Sequence, residues 1–129
     1  MELRLRLHPG TFAICRLDPD APAPEWAERG PFHLACRTAD ELALVVEERW
    51  VASGVRAQGG YRLLELVGPF PFTAVGVLLA ALQPLAAAGI SILATSTFDT
   101  DYVLFPDDRR AEALAALREA GHAVENPAP

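Results

Sequence analysis

The sequence predicts an α+β fold, an antiparallel sheet with helices on one face, and three observations predict it. Residues 61–124 run through apolar patterns in the order strand, helix, strand, strand, helix, strand. Glycine and proline fall at the joints between those patterns. Residues 30–40 share the pattern of residues 89–99, the mark of an internal repeat.

Leu3, Leu5 and Leu7 alternate with Arg4 and Arg6, the period of a strand. Residues 11–17 are the next strand, and residues 24–29 a stunted helix. Residues 42–49 lead from a strand into acidic residues and an arginine, and residues 51–60 read as a loop. Residues 61–67 are rich in aliphatics and close at Gly68 and Pro69, a strand followed by a turn. Residues 72–88 place Val75, Leu78, Leu79, Leu82, Leu85 and Ala86 at helical spacing, with Thr73 as N-cap and Gly89 past the C-terminus. Pro84 has no backbone donor and bends the last turn. Residues 90–97 form a strand, Phe98, Asp99 and Thr100 a hairpin tip, and residues 101–105 the returning strand, bounded by Pro106. Asp107 or Asp108 caps a helix that turns Ala111, Leu114, Ala115 and Leu117 inward and ends at Gly121. Residues 122–124 are a short last strand. The order βαββαβ is that of the ferredoxin-like sandwich.

In the repeat, Gly30, Leu34, Ala35, Thr38 and Asp40 coincide with Gly89, Leu93, Ala94, Thr97 and Asp99, and residues 42–49 parallel residues 102–109. The chain therefore reads as two such units, a degenerate one over residues 1–60 and a complete one over residues 61–125. With 129 residues there is room for one body, and too little chain for two independent domains of usual size.

Composition narrows the function. A formal charge of −6, with no basic block, disfavours nucleic acid and anionic membranes. The longest apolar stretch, residues 73–88, is interrupted by Gln83 and Pro84 and is too short to span a bilayer. The N-terminus has a strand's period and lacks a signal peptide's apolar core, so a cytoplasmic protein is expected. Cys15 and Cys36 each sit in an apolar run and read as buried free thiols. The histidines His8, His33 and His122 are scattered, so no metal is expected. No nucleophile has a recognisable base and no phosphate-binding glycine loop occurs, which argues against an enzyme and against a cofactor.

The run from Ala88 through Gly89, Ile90 and Ser91 to Ser96, Thr97, Thr100, Asp101 and Leu104 resembles the ACT domains of a small tandem-ACT family, related to the CASTOR-type cytosolic arginine sensors. Pro9, Gly10, Thr11, Phe12 and Ala13, followed by Cys15, Arg16 and Leu17, resemble the opening of the stand-alone bacterial members. The resemblance covers most of residues 9–124. It implies tandem ACT units that bind an amino acid or similar effector at a unit or subunit interface. In ACT domains the effector commonly sits between the loop entering the first helix and the second strand with its following loop, here residues 68–76 and 95–101.

An amino acid needs anchors for its carboxylate and its ammonium. Free N–H groups at the start of the helix predicted from Thr73 suit the carboxylate, and Gly76 allows close approach. Ser96, Thr97, Asp99 and Asp101 offer acceptors for the ammonium, and Phe98 an apolar wall. With Phe72 and Val75 beside the same turn, these are the candidate ligand residues. The plainer reading of the same residues is structural: Thr73 as a cap, Gly76 for packing, Asp99 for the turn. Two functions remain open: a small-molecule sensor whose effector is an amino acid, and a protein-interaction module with a vestigial pocket. Both expect a homodimer.

Overall fold

The computed structural model of the chain describes residues 1–126 and resolves two compact units. One is Gly10–Tyr61; the other joins Met1–Pro9 to the chain from Arg62 onward.

The unit Gly10–Tyr61 contains β2 (Phe12–Leu17), after the chain's first strand β1 (Arg4–Leu7), then β3 (Leu34–Arg37), β4 (Leu42–Glu47) and the start of β5 (Arg56–Leu66). Two 3₁₀ turns, Glu25–Glu28 and Glu48–Trp50, stand where a complete unit has helices. The strands lie in the order β3, β4, β2, β5, all antiparallel. Ala13, Cys15, Leu42 and Leu44 form a small core under Ala27, with Trp26 packed against it. β5 begins at Arg56, earlier than the sequence indicated, because Gly59 and Gly60 mask a strand whose first residues pair with β2. Cys36 is exposed, against expectation, since β3 is an edge strand with nothing of its own unit beyond it; Cys15 is buried on the central strand.

The other unit holds β1, the end of β5, α1 (Val77–Ala87), β6 (Leu93–Ser96), β7 (Asp101–Pro106), α2 (Arg110–Glu119) and β8 (Ala123–Glu125). Its strands run β6, β7, β5, β1, β8. If β5, β6, β7 and β8 are counted as strands one to four, the order is two, three, one, four, the same as in Gly10–Tyr61, except that β1 is inserted between one and four. β1 pairs antiparallel to β5 and parallel to β8. Residues 1–9 thus belong with this unit and not with the one that follows them in sequence, because Leu5 and Leu7 complete its core. That core packs Leu64, Leu66, Val103 and Phe105 of the sheet against both helices. Each fully buried leucine or phenylalanine there contributes roughly 1.5–3 kcal/mol.

Both helices start later than the sequence indicated. Gly76, at φ 82°, is the N-cap of α1, and the left-handed backbone there ends any helix that would run through Thr73. Thr73 instead sits in a turn closed by Ala74 N–H to the carbonyl of Pro71, 2.9 Å. The buried face of α1 is Val77, Ala81 and Leu85, while Val75, Leu79 and Ala86 are exposed. Apolar residues occupy nearly every position of this helix, so their spacing does not set its phase. A 3₁₀ turn, Asp107–Arg109, precedes α2, so neither aspartate caps it; Ala113, Leu114 and Leu117 face inward and Ala111 and Ala115 outward. Glu125 extends the last strand by one residue as the end of β8 and is held by Arg4 and Arg6; residues 127–129 lie outside the described residues.

The repeat is visible in three dimensions. Leu34–Arg37 and Leu93–Ser96 are second strands, Leu42–Glu47 and Asp101–Pro106 third strands, and Glu48–Trp50 and Asp107–Arg109 the 3₁₀ turns after them. The two hairpin tips close alike, Thr38 N–H to Glu41 O at 2.9 Å and Thr97 N–H to Thr100 O at 2.8 Å. This register pairs Leu42 with Asp101, one residue from the pairing with Tyr102 suggested by sequence.

Candidate functional site

A cavity of about 220 Å³ lies in the unit that contains α1. One wall is the segment between β5 and α1, through Phe70, Pro71, Phe72 and Ala74 to Val77. The other is the β6–β7 hairpin, through Ser96, Thr97, Phe98, Asp99, Thr100 and Asp101.

Backbone bonds hold the walls together. After β5 the chain passes through a cis peptide at Gly68 and Pro69. Phe70 N–H then donates to the carbonyl of Asp99 at 2.9 Å. A side chain at Gly68 would meet that same carbonyl at 2.9 Å and the Phe70 nitrogen at 3.0 Å, so close approach demands glycine here. From the hairpin, Thr100 Oγ1 donates back to the carbonyl of Leu66. Thr97 closes the tip through its N–H and its Oγ1, the latter 3.2 Å from the Thr100 carbonyl. Because these contacts use the backbone of Asp99, its carboxylate is left for other partners. Ser96 Oγ donates to Asp101 Oδ1, which turns that half-buried carboxylate along the cavity wall.

At the mouth, the rings of Phe72 and Phe98 meet edge to face, 4.8 Å between centroids, with 75% and 79% of each residue exposed. Two large aromatic side chains kept in water against the hydrophobic effect mark an interaction site better than scattered surface leucines would. The charged residues lining the cavity are Asp99 and Asp101, with no cation among them. Burial, followed by the negative charges of Glu65 and Asp99, pushes the neighbouring Tyr102 phenol up, which keeps it a neutral hydrogen-bonding group. The start of α1 adds positive character: its N-cap is a glycine and no side chain caps it, leaving first-turn N–H groups without side-chain acceptors beside Val77.

Of the candidate residues, Phe72, Ser96, Thr97, Phe98, Asp99 and Asp101 line the cavity. Thr73, Val75 and Gly76 do not, because the helix starts after them and Val75 points into solvent. Phe70, Pro71, Ala74 and Thr100 fall within the segments 68–76 and 95–101 without having been singled out, and Val77 lies outside them. The alternating prolines at 69 and 71 were the available signal, since each disfavours a helix through the residue before it. Thr97 has the same hairpin-closing bonds as Thr38, so its hydroxyl is committed to the fold.

Among the described residues no group of three or more histidines, cysteines or acids is placed to hold a metal ion, and no helix is long and apolar enough to cross a membrane.

Comparison with known proteins bears on the same segments. The family profile described as ACT domain matches residues 56–119, and a profile described as an N-terminal domain matches residues 10–53. A crystal structure of an Agobacterium tumefaciens protein is 31% identical, with 100% of this chain and 96% of that one covered and a TM-score of 0.94. A Vibrio cholerae protein, described as a possible transport protein, is 22% identical over 92% of this chain and 90% of its own, TM-score 0.74. The regulatory subunit of aspartate kinase from Thermus thermophilus, in ligand-free form, is 17% identical over 91% and 97%, TM-score 0.62, and shares the fold. No curated sequence matches significantly. With a ferredoxin-like βαββαβ unit, the matching profile and a relative alike over nearly all of its length, the chain belongs to the ACT-domain family.

Proposed function

We propose that this protein is a cytoplasmic, non-catalytic sensor whose effector is an amino acid bound in the cavity between the β5–α1 segment and the β6–β7 hairpin. The carrying observation is the chemistry of that cavity: two carboxylates on one wall, an aromatic pair at the mouth and an uncapped helix start at the far side. Asp99 and Asp101 take the ammonium group, the first-turn N–H groups beginning at Val77 take the carboxylate, and Phe70, Phe72 and Phe98 take an apolar side chain. The degenerate unit Gly10–Tyr61 and the complete unit, which β1 joins, are the functional halves, and the complete one binds.

A second reading, an interaction module that dimerises, is favoured by Phe72 and Phe98, which are exposed together at the mouth. The same residues serve a homodimer if a second copy covers them.

Thermal unfolding of the purified protein against each amino acid separates the readings. Effector binding at about one hundred times Kd stabilises by roughly 2.7 kcal/mol. A saturable rise for one amino acid, lost in Asp101→Asn and in Asp99→Asn with the unliganded melting temperature retained, is expected. If no amino acid raises it and Phe98→Ser converts a dimer to a monomer, the interaction module is the function.

A further inference from the structure

The unit Gly10–Tyr61 carries a cavity of its own, about 220 Å³, separate from the one above and lined by Ile14, Cys15, Arg16, Glu41, Arg56 and Gln58 among others. Arg16 on β2 and Arg56 on β5 are direct cross-strand partners, as are Ile14 and Gln58 beside them. Directly opposed residues on an antiparallel pair have Cβ atoms about 5 Å apart and point to the same face, and two like charges so placed repel.

Among the described residues no salt bridge relieves that repulsion. Arg4, Arg6, Arg29, Arg49, Arg62 and Arg109 each have a carboxylate partner. Neither Arg16 nor Arg56 has one among the described residues. Arg16 donates only to the backbone carbonyl of Asp40, at 2.9 Å, which ties its guanidinium to the hairpin tip beside the cavity. In a protein of net charge −6 whose other cations are mostly neutralised in pairs, two unpaired guanidiniums in one recess are a local inversion of charge. Glu41 also lines the recess, one carboxylate against two guanidiniums.

We propose that this recess is a second binding site, independent of the effector cavity, that takes a small oxyanion, a carboxylate or a phosphate, between Arg16 and Arg56 with Gln58 as an added donor. Guanidinium forks match both groups in shape and charge, and binding removes the cross-strand repulsion that the empty site carries. Occupation stiffens the β2–β5 pairing, so the unliganded site is the less stable form of this unit.

The test is thermal unfolding with succinate in one arm and inorganic phosphate in another, at low millimolar concentration and with chloride to matched ionic strength. A saturable rise of about 5 °C at tenfold excess over Kd is expected in at least one arm. Succinate alone points to a carboxylate ligand, phosphate alone to a phosphate, and both to the shared oxyanion chemistry. The rise should vanish in Arg56→Gln and in Arg16→Gln and persist in Asp101→Asn, which separates this site from the effector cavity. Without added anion, Arg56→Gln should melt no lower than the parent protein. No saturable rise in either arm, or an equal rise in both arginine variants, overturns the proposal.

Discussion

Pro84 leaves helix α1 without the N–H that should bond the carbonyl of Ala80, and His122 supplies the missing donor. Its Nε2 lies 2.8 Å from that carbonyl. The other ring nitrogen, Nδ1, accepts from Leu3 N–H at 3.0 Å, so the proton resides on Nε2 and the ring is neutral. One imidazole, 5% exposed, thereby ties α1, the entry to β8 and the start of β1 together.

Replacing His122 with phenylalanine strands the Leu3 donor and the Ala80 acceptor and should cost about 2–4 kcal/mol. Pro84→Ala restores a donor to Ala80 and should recover about 1 kcal/mol of that loss, while having little effect when His122 is present. Urea unfolding of the two single variants and the double variant forms the cycle. Strict additivity would show that the two residues do not share this carbonyl.

Gly30 and Gly54 have nearly the same left-handed backbone, φ 85° and 83°, and different surroundings. A Cβ at Gly30 would run into the Glu47 carboxylate, which is 13% exposed, whereas nothing lies within 4 Å of one at Gly54. Gly54→Ala should therefore show the conformational cost alone, about 1 kcal/mol, and Gly30→Ala about 1–2 kcal/mol beyond it. Equal losses in denaturant unfolding would mean that Glu47 moves aside freely.

Glu125 is held below the usual carboxylate range, first by its hydrogen bond from Arg4 and then by that from Arg6. A folded-state value below the unfolded one gives stability that is present above the unfolded pKa, near 4.3, and is lost as pH falls through the folded value. The stability gap between the parent protein and Glu125→Gln should be open at neutral pH and close on acidification. A gap that stays constant with pH would remove the ion pairs as its cause.

Burial pushes the Cys15 thiol up, and Cys36 is exposed. Since the thiolate is the reactive form, an aromatic disulfide reagent should label one thiol in the native protein and the second only after unfolding. In Cys36→Ser the fast phase should be absent; fast labelling in that variant would place Cys15 in contact with solvent.

Much of the fold was legible because it depends on local patterns. Alternation marked Leu3, Leu5 and Leu7, the aliphatic run marked the end of β5, and the repeated glycine, threonine and aspartate marked both hairpins. The hairpin wall of the cavity was legible for the same reason, since Ser96, Thr97, Phe98, Asp99 and Asp101 are contiguous in the chain. The opposite wall was misplaced: a helix apolar on all sides hides its phase, and the Gly76 backbone that delays its start is not encoded by spacing.

By itself, then, the sequence determined the element types, their order and the doubled unit, because hydrophobic period and turn chemistry act over a few residues. Only the tertiary structure decided that β1 inserts between β5 and β8, that His122 serves a carbonyl in helix α1, and that Arg16 meets Arg56 across a strand pair. Those contacts join residues far apart in the chain, and each is chosen by which partner can fill the core, satisfy the buried polar group or share the register once the strands have paired.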